Sequence, residues 1–80
     1  MNKHEREVIN ILKEYNEICG IDLRNILNNN KWFKWSVTGF YQLMANLVNK
    51  GYVNRIIKST ELGSQLHWFS LKDNNDITKL

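Results

Sequence analysis

The side chains of this chain that are most able to do chemistry lie in its middle third. Residues 31 to 60 carry five basic side chains and no acidic one, whereas each flanking stretch carries one more acidic than basic side chain. The five are Lys31, Lys34, Lys50, Arg55 and Lys58. The formal net charge of +3 therefore understates how strongly positive charge is concentrated. Such a concentration predicts a surface that binds a polyanion.

Residues 36 to 50, inside this stretch, have the spacing of an amphipathic helix. Its apolar residues recur on one face: Phe40, Leu43, Met44, Leu47 and Val48. The opposite face then carries the candidate base contacts: Thr38, Gly39, Tyr41, Gln42 and Asn46. Gln and Asn side chains can pair bidentately with adenine, and Thr can contact a base edge or the thymine methyl group. Because no Arg lies on this face to bond guanine, we expect recognition that favours A·T pairs.

The basic residues flank this helix and are predicted to contact the phosphate backbone. Lys31 and Lys34 precede the helix, and Arg55 and Lys58 follow it. Side chains of this kind position a protein on duplex DNA without reading its sequence. Ser36 is predicted to cap the N-terminus of the helix and to contact the DNA backbone there. This arrangement is the electrostatic footprint expected of a small protein that reads double-stranded DNA.

The sequence offers no constellation suited to catalysis or metal binding. Ser, His and Asp occur at no spacing that implies a triad, and there is no glycine-rich loop that could bind phosphate. Cys19 and the two histidines, His4 and His67, are too few for a metal cage within one chain. We therefore expect neither an enzyme nor a metal or organic cofactor. The single cysteine is typical of a protein from a reducing compartment.

The elements that must position these residues follow the order helix, helix, helix, strand, turn, strand, an α+β class. Apolar spacing predicts a first helix over residues 5 to 15, a second over 21 to 27, and the third from Ser36 onward. Gly51 is placed to end the third helix in a left-handed conformation. Strands are predicted at 52 to 57 and 66 to 71, joined by a turn at 59 to 64 into a two-stranded hairpin.

Length and composition predict one domain over residues 1–72 and a polar tail over 73–80. Hydrophobic residues make up 42% of the chain, which is enough to build one core. No stretch approaches the roughly 20 apolar residues of a membrane span, and the N-terminus is too charged for a signal peptide. A cytoplasmic protein is therefore expected.

The predicted core includes Leu12, Ile26 and the apolar face of the third helix. Trp35 is expected to cover that core as a lid. Since Trp68 and Phe69 alternate on the last strand, one should face inward and the other outward.

Several short motifs resemble those of known regulators. They are Glu7-Val8-Ile9-Asn10-Ile11-Leu12, Gly20-Ile21-Asp22-Leu23-Arg24, Trp35-Ser36, Lys50-Gly51, Tyr52-Val53 and His67-Trp68-Phe69-Ser70-Leu71. With these motifs the chain resembles the penicillinase/methicillin-resistance repressor family and PadR-like regulators. The resemblance implies a winged helix-turn-helix fold, with the third helix in the major groove and the hairpin 52–71, the wing, against the DNA backbone. It also implies a small transcriptional regulator, a repressor, of a microbe, virus or mobile element.

Other uses of such a fold stay open. A module of this size buries only about 600–1,000 Å² against DNA, so a homodimer is expected. Trp32 and Phe33 belong either to the core or to an exposed patch for dimerisation or a partner. In the second case the chain could be a protein–protein interaction module, or an inhibitor of a larger complex. A phage or plasmid replication or partition factor is a weaker alternative.

Overall fold

The computed structural model of the protein describes residues 1–29 and 34–72. The helices are α1 (Lys3–Leu12), α2 (Gly20–Asn28) and α3 (Val37–Asn49), and the strands are β1 (Ile18–Cys19), β2 (Val53–Ser59) and β3 (Gln65–Leu71). The predicted α+β class and the order of three helices before a hairpin are confirmed. Lys31, Trp32, Phe33 and the tail 73–80 lie outside the described residues.

The sheet has three antiparallel strands in the order β1-β3-β2, so the prediction of a sheet with only two strands was wrong. Ile18 and Cys19 pair with Phe69 and Trp68 of β3. A strand of two residues is too short to show a period of two, and Cys19 followed by Gly20 had the composition of a turn. The added strand ties the segment between α1 and α2 to the wing.

Local capping signals determine where α1 and α3 begin. The Asn2 side chain accepts a hydrogen bond from the Glu5 backbone N–H at 2.8 Å, and the Glu5 carboxylate accepts one from the Asn2 N–H at 3.1 Å. This reciprocal capping box starts α1 two residues earlier than the apolar spacing suggested. As predicted, the Ser36 hydroxyl caps α3, accepting from the Gly39 N–H at 3.0 Å, and Gly51 ends it with φ +84°.

The core lies between the three helices and the inner face of the sheet. Its buried members are Val8, Ile9, Leu12, Ile18, Leu23, Leu27, Phe40, Leu43, Met44, Leu47, Val53 and Phe69. Phe69 faces inward while Trp68 is only half-buried, which confirms the predicted alternation on β3. Trp35 packs against the core as a partly buried lid. Ile26 is 37% exposed, so the prediction that it belongs to the core was wrong, because α2 turns Leu23 and Leu27 inward instead.

Candidate nucleic-acid interface

The exposed face of α3 presents neutral polar side chains at successive turns. Thr38, Gln42 and Asn46 are all exposed and lie four residues apart. At about 1.5 Å per residue they form a line roughly 12 Å long on one side of the helix. α3 contains no charged residue between Val37 and Asn49. Its outer surface can therefore donate and accept hydrogen bonds without the repulsion that a carboxylate would exert on phosphate.

Tyr41, which was also predicted to contact bases, does not lie on this line. Its ring packs edge-on against Phe40 with centroids 5.0 Å apart, and lies 5.6 Å from His67 and 6.3 Å from Phe69. Burial raises the pKa of the Tyr41 hydroxyl. Tyr41 precedes Met44 by three residues and therefore flanks the apolar stripe, which explains why its ring turns toward β3. A contact between Tyr41 and DNA remains a prediction.

Gly20 and Tyr41 fit closely where α2 begins. A Cβ added to Gly20 would lie 2.7 Å from the Tyr41 hydroxyl oxygen and 3.1 Å from the Phe69 ring. The absent side chain thus makes room for the tyrosine between α2, α3 and β3. Tyr41 links α3 to β3 of the wing, a role that helical spacing alone did not reveal.

Gly39 also contacts its own neighbours. A Cβ at this position would lie 3.0 Å from the Ser36 hydroxyl oxygen and 3.6 Å from the Trp35 ring. The glycine lets the capping serine and the Trp35 lid pack closely on the first turn of α3. Whether Gly39 also admits a close approach of DNA stays a prediction.

Hydrogen bonds to Trp35 fix the start of α3. The Asn28 side-chain oxygen accepts a hydrogen bond from the Trp35 N–H at 2.8 Å, and the Asn28 side-chain nitrogen donates one to the Trp35 carbonyl at 3.2 Å. The Arg24 guanidinium donates to the same carbonyl at 2.9 Å. The Lys34 ammonium donates to the Asn28 carbonyl. These contacts hold the C-terminal end of α2 against the start of α3. The roles of Arg24 and Asn28 could not be predicted from sequence, because they depend on Trp35 lying beside α2 in the folded chain.

Two of the five basic residues in the stretch 31 to 60 form ion pairs with carboxylates from residues 1 to 30. The Lys50 ammonium lies 2.8 Å and 3.1 Å from the two carboxylate oxygens of Glu5, whose side chain is only 2% exposed. That ammonium and the Asn2 N–H lower the pKa of Glu5. The Lys58 ammonium forms an ion pair with Glu17. Lys34 and Arg55 are exposed, and no described carboxylate is paired with either.

The wing is a hairpin whose turn, residues 60–64, exposes the apolar side chain of Leu62. Thr60 and Ser64 close its turn through a backbone hydrogen bond of 2.7 Å, and the Thr60 hydroxyl accepts from the Ser64 N–H at 3.1 Å. Gly63 supplies the positive φ of +84° that the turn requires. Leu62 at the tip is 95% exposed and follows the acidic Glu61.

No helix in residues 1–29 or 34–72 is long and apolar enough to cross a membrane. The same ranges hold no group of three or more His, Cys, Asp or Glu side chains arranged to bind a metal ion.

No protein-family model and no curated protein matches this sequence. Solved structures do resemble it. A candidate transcriptional regulator from Thermoplasma acidophilum superposes with a TM-score of 0.72 at 20% identity, over 95% of this chain and 73% of that one. A mutant MarR from E. coli in complex with operator DNA gives 0.73 at 15% identity, over 99% of this chain and 51% of that one.

A PadR-like transcriptional regulator from Bacillus cereus gives a TM-score of 0.70 at 18% identity, over 94% of this chain and 74% of that one. The chain thus spans about half of the MarR polypeptide and about three-quarters of the other two. At these identities the likeness concerns the fold, and it agrees with the resemblance to PadR-like regulators seen in the motifs. The chain adopts the winged-helix fold found in MarR and PadR-like transcriptional regulators.

Proposed function

We propose that this chain binds double-stranded DNA as a small transcriptional regulator. α3 lies in the major groove, and the wing, residues 52–71, lies against the DNA backbone. The observation that carries the proposal is the exposed polar line of Thr38, Gln42 and Asn46 on a helix without carboxylates. In helix-turn-helix proteins the second helix of the motif presents such side chains to base edges.

The flanking charges support the same orientation. Lys34 lies just before α3, and Arg55 lies on β2, so exposed cations are found on both sides of the reading helix in the chain. Phosphate contacts from such positions would fix the register of α3 without reading sequence. Lys31 and Ser36 are proposed to add backbone contacts near the start of α3.

The biological form proposed is a homodimeric repressor. One module of this size buries about 600–1,000 Å² against DNA and neutralises few phosphates, so two copies on adjacent half-sites give useful affinity. Occupancy of a promoter by such a dimer blocks transcription without any catalytic activity. MarR, which shares the fold, was solved with operator DNA, and this supports the choice of partner.

The first test replaces the two exposed flanking cations. The double variant Lys34→Ala and Arg55→Ala should bind random-sequence duplex DNA more weakly, and the slope of log affinity against log salt should flatten by about two because two phosphate contacts are lost. Fluorescence anisotropy over a series of salt concentrations gives both quantities.

A matched control removes two exposed lysines at the two ends of α1. The double variant Lys3→Ala and Lys13→Ala changes net charge by the same amount but alters no residue to which a DNA contact is assigned. Its salt slope should stay near that of the unaltered protein. Equal slopes for the two double variants would mean that the predicted backbone contacts are wrong.

A second candidate function is recognition of a protein partner through the wing. Ile56 and Ile57 are 46% and 52% exposed, and Leu62 is 95% exposed beside Glu61. Apolar side chains with an adjacent carboxylate suit a protein surface better than phosphate. In this case Leu62→Ala would abolish partner binding, while the Lys34 and Arg55 variants would leave it unchanged.

A further inference from the structure

The side chain of Lys58 lies across the outer face of the sheet. Lys58 is on β2 opposite Leu66, while Trp68 is the next residue on the same face of β3. The Lys58 ammonium is 4.4 Å from the centroid of the Trp68 ring. On the far side of Trp68 lies β1, which Glu17 immediately precedes, and Glu17 forms the ion pair with Lys58. The lysine thus extends from β2 over β3 to the start of β1.

This position competes with the role that the sequence suggested for Lys58. A lysine that contacts a phosphate must direct its ammonium at the DNA, whereas here a carboxylate and an aromatic face already occupy it. The Lys58 and Glu17 side chains are 44% and 37% exposed, so the pair is open to water and can separate. The Lys50–Glu5 pair is different, because the Glu5 carboxylate is buried. If Lys50 left it for a phosphate, the protein would keep a buried charge without a counter-ion, which is costly.

We propose that Glu17 weakens DNA binding by competing with phosphate for Lys58. The lysine must leave the Glu17 carboxylate before its ammonium can contact a phosphate, so part of the energy of that contact is lost. Glu17 therefore lowers affinity for every duplex that Lys58 contacts. The inference rests on the proposed function and adds a residue that sets how tightly the wing holds the DNA backbone.

The test compares two charge-neutralising variants of equal size. Glu17→Gln frees Lys58, whereas Glu14→Gln removes one negative charge from an exposed position for which the described residues show no ion pair. We expect Glu17→Gln to raise affinity for random duplex about two- to fivefold above Glu14→Gln, the range for an exposed ion pair. Its salt slope should steepen by about one because a further phosphate is contacted.

Both variants are then measured again with Lys58→Ala. If Glu17 acts through Lys58, the advantage of Glu17→Gln over Glu14→Gln disappears in this background. Thermal unfolding of each variant confirms that the fold is intact before binding is compared. An advantage that persists without Lys58, or no advantage at all, overturns the inference while leaving the proposed function standing. If no protein in the series binds duplex DNA at low salt, both fall together.

Discussion

At the scale of single residues, the proposed function assigns sequence reading to the side chains on α3. Gln42 and Asn46 are exposed and uncharged, and each could pair with adenine in the major groove. In the proposed complex, Lys34 and Arg55 would supply attraction that is the same for every sequence. The two groups should therefore respond differently to mutation.

Replacing Gln42 or Asn46 by Ala should weaken binding to a preferred site selected from a random pool. A loss of about 1–3 kcal/mol is expected for each, because that is the discrimination a bidentate pair provides. Affinity for random duplex should hardly change. Anisotropy on both duplexes measures the two effects.

Asn10→Ala provides a matched control, since Asn10 is exposed on α1, an element to which no DNA contact is assigned. It should leave binding to both duplexes unchanged. An equal loss on preferred and random duplexes for Gln42→Ala and Asn46→Ala would show that these side chains do not read bases.

Sequence could predict the residues whose roles are local. Ser36 as a cap and Gly51 as a helix terminator follow from preferences that act within one turn, and both are found. Tyr41 was grouped with the outward face because its position at the border of the apolar stripe does not reveal which neighbour it packs on. Its partners His67 and Phe69 come from β3, and Gly20 makes room for it.

At the scale of elements, the ion pair between Glu5 and Lys50 joins the first turn of α1 to the end of α3. The Glu5 carboxylate is buried, and its pKa is lowered by the Lys50 ammonium and the Asn2 N–H. A carboxyl with a lowered folded-state pKa stabilises the protein above its unfolded-state pKa. That contribution is lost as pH falls through the folded-state pKa.

Glu5→Gln should therefore destabilise the protein at pH 7 and become harmless in acid. The Gln side chain can still accept the Asn2 N–H, so the capping box is kept and the variant isolates the charge. We expect a cost of about 1–3 kcal/mol at pH 7, because Lys50 loses its partner. Urea unfolding at a series of pH values from 7 down to about 2 shows where the cost disappears.

The exposed carboxylate of Glu14 provides the control for that experiment. Glu14→Gln should have little effect on unfolding over the same pH series. A cost of Glu5→Gln that stays constant down to about pH 2 would show that the charge of Glu5 is not what stabilises the join between α1 and α3.

Elements defined by long periodic segments were predictable, whereas short or long-range features were not. The apolar face of α3 was visible over three turns. Four of its five predicted residues are buried, and the fifth, Val48, is partly buried against the core. β1 has two residues and exists only because β3 lies beside it. The Glu5–Lys50 pair spans 45 positions in the chain, and no local pattern indicates that the two would meet.

At the scale of the whole molecule, folding redistributes the charge that the sequence concentrates in residues 31 to 60. Glu5 and Glu17 come from the acidic N-terminal stretch and pair with Lys50 and Lys58. The structure describes four of the five basic residues of that stretch, and two of these four, Lys34 and Arg55, form no ion pair with a described carboxylate. The positive surface is thus smaller than composition predicted: Lys34 precedes α3 in the chain, and Arg55 lies on β2 of the wing.

This smaller positive surface predicts modest affinity for DNA of arbitrary sequence and a strong dependence on salt. The most direct measurement is a titration of random-sequence duplex with the unaltered protein at about 50 and 200 mM salt. Fluorescence anisotropy of the labelled duplex reports binding. We expect binding in the micromolar range at low salt that weakens about tenfold or more at high salt, since two or more phosphate contacts are screened. Absence of binding at tens of micromolar protein and low salt would contradict the DNA-binding function. It would favour the exposed apolar side chains of the wing, Ile56, Ile57 and Leu62, as contacts for a protein partner.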